Sequence, residues 1–255
     1  VIFLAALAGV DAKRVAIRRK ALSTATKESS ECRMTGKSPW LVAAYPGAEW
    51  ALKVFPDDLE SKAMDALYTV ILQASRVDGC DPAAAWAAHQ KNLTQRVKWL
   101  NSQHFDRLHY KNSLGTDFTV GLAKNHVWEG GASLTPDGRS FVPNMPTEEV
   151  FTAPDRFSAE GTLAASLPLS HGGALIENFT ITFHEGRAVS FTAEKGGEAL
   201  QSILDTDEGA KYLGEVALIP AAWACFFTTR SLTKTPPATL RWARLIRKTW
   251  RAAWR

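Results

Sequence analysis

The stretch Phe141–Arg156 constrains the fold more than any other part of this sequence, because it holds two adjacent carboxylates in a segment rich in proline. Each proline fixes its own φ and drives the residue before it toward extended backbone. The prolines are Pro143, Pro146 and Pro154. We therefore expect Glu148 and Glu149 to lie on stiff, extended backbone and not inside a helix.

Apolar residues bracket this glutamate pair, with Met145 before it and Val150 and Phe151 after it. Such neighbours favour a segment drawn toward a core, where the carboxylates lose water and attract cations more strongly. The alternative is an exposed acidic loop, because glutamate is mostly exposed in proteins.

Composition indicates a globular protein. With 255 residues and 45% hydrophobic content, the chain can bury one large core or two modest ones. The three cysteines, Cys32, Cys80 and Cys225, are odd in number and have no metal-ligand spacing. This pattern favours a reducing, cytoplasmic setting. The apolar opening Val1–Val10 is too short for a membrane span and has no basic residues before it, so we expect a buried helix or strand in a chain entered partway.

The net charge of +4 conceals an uneven distribution. Residues 221–255 hold eight Lys or Arg and no acidic residue, so residues 1–220 carry 22 basic and 26 acidic groups and are mildly acidic. We expect no nucleic-acid or membrane partner. The alternative is a non-enzymatic binding protein whose basic segment Arg241–Arg251 contacts nucleic acid or a membrane surface.

Hydrophobic periodicity predicts one strand and two helices in the first part of the chain. Leu41–Tyr45, ended by Pro46, has the pattern of a buried strand. A helix is expected from Asp57 onward, with core positions at Ala63, Leu67, Val70, Ile71 and Ala74. A second is expected from Asp81, with core positions at Trp86, His89, Leu93, Val97 and Leu100. His89 is interpreted as a core histidine, because no carboxylate or second histidine follows it at i+3 or i+4.

Strands are expected from Leu114 onward. Phe118–Leu122 alternates, and Phe179–Phe183 with Arg187–Ala193 predicts a hairpin. A short helix is expected at Glu198–Leu204. The predicted fold class is α/β as an α+β mixture, a helix-rich first part followed by a β-rich part. The predicted regions are an N-terminal region 1–113, a β-rich catalytic region 114–220 and a tail 221–255.

Five runs occur in an order that resembles one family. They are Asn144–Pro154, which reads NMPTEEVFTAP, and Gly115–Leu122, His126–Gly131, Glu177–Phe183 and Asp207–Leu218. Over most of residues 40–220 the chain resembles the thermophilic metallo-aminopeptidases, the aminopeptidase T and aminopeptidase S family. The resemblance implies release of N-terminal residues from peptides with two divalent ions, zinc or cobalt or else magnesium or manganese. It also implies a cytoplasmic homodimer.

The resemblance also implies site residues. Glu149 and Glu215 match metal ligands, and carboxylates are the hard anionic oxygens that a pair of divalent ions needs. The alternative for Glu215 is a buried ion-pair partner. We assign Glu148 as general base from adjacency alone, although alternate residues of an extended segment point to opposite faces. His126 is a candidate for the substrate pocket or for a structural role, and Asp117 for the pocket, a cap or an ion pair.

The resemblance stops at Pro220. Rejoining the third base of each codon with the first two bases of the next recovers family-like sequence from residues 221–255, so we expect this tail to be an out-of-frame translation. Family members carry further ligands beyond this point. We therefore expect the chain as written to be inactive or nearly so, and robust release of leucine from a leucyl chromogenic substrate would contradict this.

Overall fold

The computed structural model describes residues 12–171 and 174–220, in which helices come first and strands dominate later. The helices are α1 (Ala12–Ala25), α2 (Lys27–Met34), α3 (Ala48–Val54), α4 (Glu60–Ala74), α5 (Pro82–Gln103) and α6 (Gly197–Leu204), with a 3-10 turn at Glu208–Lys211. The short strands of the first half are β1 (Val42–Ala43), β4 (Glu129–Gly130), β5 (Ser133–Leu134), β6 (Ser140–Phe141) and β7 (Asn144–Met145). The remaining strands are β2 (Arg107–Lys111), β3 (Asp117–Gly121), β8 (Val150–Thr152), β9 (Glu160–Ala164), β10 (Leu169–His171), β11 (Ala174–His184), β12 (Arg187–Lys195) and β13 (Val216–Leu218). This mixture of helices and sheets confirms the predicted fold class.

Two compact units interleave along the described chain. The first holds the described residues up to Leu93 together with Gly130–Thr147, and the second holds Thr94–Glu129 and the described residues from Glu148 onward. Long-range contacts define these units, whereas the regions 1–113 and 114–220 come from sequence texture and stay a prediction. The predictions for Val1–Val10 and for residues 221–255 lie outside the described residues.

The first unit has a helical core. Packing of α3 against α4 accompanies the burial of Trp50 and Leu67, and Leu93 of α5 is also fully buried. The predicted core positions of α4 are all buried, which confirms the helical periodicity of that segment. The helix begins at Glu60, three residues after Asp57, where Leu59 is already extended.

The prediction that Leu41–Tyr45 forms a buried strand is wrong, because most of these residues are exposed. Of these residues Val42–Ala43 forms a strand, β1, which within the described part of the chain pairs in parallel with β7 only. Leu41 and Tyr45 are 54% and 64% exposed, because a two-stranded ribbon covers little of its own surface.

The second unit is built on an antiparallel sheet. The long strand β11 pairs with β12 and β9, β9 continues to β3 and β3 to β2. Phe118 and Phe183 meet edge to face at 5.4 Å between ring centroids in its core. Sheet structure begins at Arg107 and not at Leu114 as predicted, because the side chains of β2 are mostly exposed and give a weak apolar alternation.

The predicted hairpin is confirmed by β11 and β12. Its turn depends on Gly186, whose φ is +80°, and a Cβ there would collide with the carbonyl oxygen of Arg156. The predicted short helix is confirmed by α6, which buries Leu200 and Leu204. None of the helices in the described part of the chain is long and apolar enough to cross a membrane.

Candidate metal centre

The glutamate pair lies in extended chain immediately before β8. The exposed fraction of Glu148 is 5% and that of Glu149 is 8%. The bracketing Val150 is 2% exposed. The expectation that apolar neighbours would draw the pair into a core is confirmed, and the alternative of an exposed acidic loop is wrong.

Glu215 lies directly before β13, the strand that pairs with β8. The pairing is antiparallel, with Val216 opposite Thr152 and Leu218 opposite Val150. Continued by one residue at each end, this register sets Glu215 opposite Ala153 and Glu149 opposite Ile219. Four residues separate Glu149 from Ala153, so the backbone positions of Glu149 and Glu215 lie about 13 Å apart along the strands.

The burial alternation of this strand pair ends at the glutamates. Val150, Thr152 and Val216 are buried on one face, whereas Phe151 and Ala217 are half-buried on the other. Thr147, Glu148 and Glu149 precede β8 and are all buried, so burial no longer alternates there. Glu215 precedes β13 and is half-buried. Both Glu148 and Glu149 therefore stay open as groups of one site with Glu215.

His126 lies in a loop that is hydrogen-bonded to the end of β8. The backbone N–H of Ala123 donates to the carbonyl of Ala153 at 3.1 Å, and the Thr152 hydroxyl donates to the carbonyl of Val127 at 2.8 Å. Nδ1 of His126 lies 3.1 Å from the carbonyl oxygen of Ala123, so this nitrogen carries the donated proton. The loop therefore adjoins the part of β8 that the register sets opposite Glu215.

Asn101 holds the next part of this loop in place. This role of Asn101 was not predicted from the sequence. Its Nδ2 donates to the carbonyl of Trp128 at 3.0 Å, and its Oδ1 accepts from the backbone N–H of Trp128 at 2.8 Å. Trp128 is fully buried, and its ring packs edge to face with the imidazole ring of His126. Because Asn101 is 27 residues away along the chain, no local spacing could have indicated this contact.

Asp117 takes part in an exposed ion pair and is not grouped with the buried glutamates. It lies at 2.8 Å from Nε2 of His109 and 3.2 Å from Nζ of Lys111, and its side chain is 62% exposed. The hydrogen bond from His109, followed by the charge of Lys111, lowers the pKa of the Asp117 carboxyl. This is the ion-pair alternative that the sequence allowed.

The donor set fits a divalent cation only in part. Buried carboxylate oxygens are suitable ligands for hard or borderline cations. Within residues 12–171 and 174–220, however, the structure contains no group of three or more His, Cys, Asp or Glu side chains close enough to hold an ion. The described residues therefore contribute carboxylates to a metal centre but do not complete one.

Comparison with known proteins places this chain in a family. The family model described as thermophilic metalloprotease (M29) matches residues 3–227. The chain belongs to this family. It is 44% identical over 214 residues to aminopeptidase AmpS of Bacillus subtilis, covering 84% of this chain and 52% of that protein. It is 46% identical over 216 residues to aminopeptidase T of Thermus thermophilus, covering 85% and 53%.

A solved member of the M29 family shares the fold. The structure of wild-type AmpT from Thermus thermophilus superposes with a TM-score of 0.80 at 44% identity, over 86% of this chain and 53% of that one. The chain thus spans about half the length of the curated relatives that it matches. The family is described as one of metalloproteases, which implies a divalent metal cofactor.

Proposed function

We propose that the protein containing this chain is a metal-dependent aminopeptidase that releases N-terminal amino acids from peptides. The observation that carries the proposal is the buried carboxylate Glu149, immediately before β8, whose partner strand β13 directly follows Glu215. The names and identities of the M29 relatives support the activity.

In this proposal Glu149 and Glu215 are metal ligands. Glu149 is buried and Glu215 half-buried, which lowers the local dielectric and strengthens the attraction of each carboxylate for a cation. When bound, divalent ions would polarise the scissile carbonyl and lower the pKa of the attacking water. We propose two ions, zinc or cobalt, with magnesium or manganese as the alternatives.

Glu148 is proposed as the group that accepts a proton from the attacking water. A buried carboxylate beside a metal ligand can serve as a general base, and its role here rests on adjacency. A neutral Glu148→Gln variant keeps the size of the side chain but cannot accept the proton. Unchanged turnover in that variant would remove this role.

The loop of His126 is proposed to line the substrate pocket. It is tied to Thr152 and Ala153 by hydrogen bonds and to Asn101 through Trp128, so it is held rigidly beside the strand pair. Asp117 is assigned to its ion pair instead. The proposal also includes a homodimer, by resemblance to the family, and a cytoplasmic setting, which the free thiols of Cys32 and Cys80 support.

The activity is tested on the complete gene product, after its coding DNA has been resequenced across the junction of Pro220 and Ala221. Release of leucine from a leucyl chromogenic amide, lost with a chelator and restored by zinc or cobalt, is the expected result. A metal-loaded product that cleaves no N-terminal residue from any peptide of a mixed library would contradict the proposal.

A further inference from the structure

The buried histidine of α5 contacts the glutamate segment directly. Nε2 of His89 lies 2.7 Å from the carbonyl oxygen of Thr147, the residue immediately before Glu148. Both partners are buried, His89 at 8% and Thr147 at 5% exposed. A carbonyl can only accept a hydrogen bond, so Nε2 of His89 must carry the proton and donate it.

This hydrogen bond acts on the peptide unit that leads into the pair. The Thr147 carbonyl and the Glu148 N–H belong to one planar group, so a fixed carbonyl also fixes the direction in which the chain enters Glu148. A site that binds ions or reacting groups needs its side chains within about 0.5 Å of their working positions. A small rotation of this peptide would displace the carboxylate of Glu149 by more than that.

The ring of His89 is itself held in place. Trp86, one helical turn earlier, meets it edge to face at 5.6 Å between ring centroids. Trp86 in turn donates from Nε1 to the carbonyl of Ser75 at 2.6 Å, and both of these residues are buried. The end of α4 thus supports the position of the His89 ring through Trp86.

We propose that His89 is a positioning residue for the metal centre, which sets the Thr147–Glu148 peptide through its Nε2–H and thereby aims Glu149. The inference rests on the proposed function for its consequence on metal binding. The hydrogen bond and its effect on the backbone do not depend on that function. His89 itself is not a ligand in this account.

The test compares variants of the 255-residue chain. His89→Leu removes the donor at similar volume, and His89→Gln restores an amide N–H of similar reach. Thr116→Val is the matched control, because it also leaves a carbonyl without its side-chain donor, but that carbonyl belongs to Ala164 in β9 and Thr116 makes no contact with His89 that the account uses. The two readouts are backbone hydrogen exchange over residues 146–150 and the dissociation constant for Co²⁺.

We expect His89→Leu to speed exchange over residues 146–150 and to weaken Co²⁺ binding by about 10-fold or more, in the range found when groups that orient metal ligands are removed. His89→Gln should return both toward wild type. Thr116→Val should lower the melting temperature while leaving both readouts unchanged. Equal exchange in wild type and His89→Leu, or equal changes in the Thr116 control, would overturn the proposal.

The experiment distinguishes failure of the proposed metal site from failure of the positioning role of His89. A wild-type chain that binds no Co²⁺ would contradict the proposed metal site, whereas the exchange comparison still decides the positioning. If His89→Leu does not fold, the ¹⁵N spectrum of the wild-type imidazole decides instead. A protonated, slowly exchanging Nε2 of His89 is expected, and an unprotonated Nε2 would overturn the proposal.

Discussion

The buried glutamate pair and the exposed pair of Glu160 with His184 use the same chemical group in opposite surroundings. Glu149 is 8% exposed, whereas the side chains of Glu160 and His184 are 49% and 68% exposed. Surface ion pairs are screened by water and salt and contribute little. A buried carboxylate acts through a lower dielectric, where the same charge has a larger effect. Burial, and not the presence of a neighbouring histidine, therefore distinguishes Glu149, the proposed metal ligand, from Glu160.

The largest expected difference between the two regions is in catalysis. Glu149→Gln should lower the turnover of the complete gene product by roughly 10³-fold, because the loss of a ligand removes several kcal/mol of charge stabilisation. Asp117→Asn, which alters an exposed ion pair, should leave turnover within about twofold. The measurement is the initial rate of leucine release at saturating zinc or cobalt. Equal losses of turnover in Glu149→Gln and Asp117→Asn would show that the buried and the exposed carboxylate do not differ in function.

A second difference concerns the two adjacent glutamates. Glu148→Gln should lower turnover by about 10²-fold while the metal affinity stays close to wild type, because a proton acceptor is lost but no ligand is. Rates are compared with metal affinities measured on the same preparation. The exposed Glu198→Gln serves as control. A fall in metal affinity as large as that of Glu149→Gln would reassign Glu148 as a ligand.

The sequence predicted much of the fold because its signals were local. The helical periodicity of α4 and the two runs of the β11–β12 hairpin each lie within about 20 residues. The burial of Glu149 was also predicted, from the apolar neighbours Met145 and Val150. Where one face of an element is buried, such patterns carry most of the information.

What the sequence did not indicate depends on long-range contacts. The bond from His89 to Thr147 spans 58 residues, and that from Asn101 to Trp128 spans 27. The exposure of Leu41 follows from β1 having a single pairing partner, and the strand β2 was missed because it has little buried surface. None of these features has a local pattern, because each is decided by an element far away in the chain.

Metal should stabilise the folded protein only where Glu149 is intact. Ligand that binds only the folded state raises the free energy of unfolding by about 2.7 kcal/mol at 100 times its Kd. Cobalt or zinc should raise the melting temperature of wild type and of Asp117→Asn but not that of Glu149→Gln. Thermal melts with and without metal measure this. An equal rise in all three proteins would place the ions elsewhere.

The smallest expected effect is the pH dependence of the exposed pair. The hydrogen bond that His184 donates to the Glu160 carboxylate raises the pKa of His184, and the backbone N–H of Glu185, followed by His184, lowers the pKa of Glu160. The contribution of His184 is complete below its ordinary pKa near 6.5 and is lost as pH rises through the raised value. That of Glu160 is present above about 4.5 and is lost as pH falls through the lowered value. His184→Gln should therefore reduce stability slightly near pH 5.5, and the reduction should shrink at higher pH and in high salt. Urea melts at several pH values test this, and a larger loss at pH 8 than at pH 5.5 would contradict it.

The most direct test of the account is a cobalt titration of the wild-type chain, Glu149→Gln, Glu215→Gln and the double variant, followed by the visible absorption of Co²⁺. If both carboxylates hold the same centre, each single variant should weaken binding by at least about 100-fold, and the double variant should lose less than the product of the two single losses. Wild-type affinity in either single variant would contradict the claim that Glu149 and Glu215 form one metal centre.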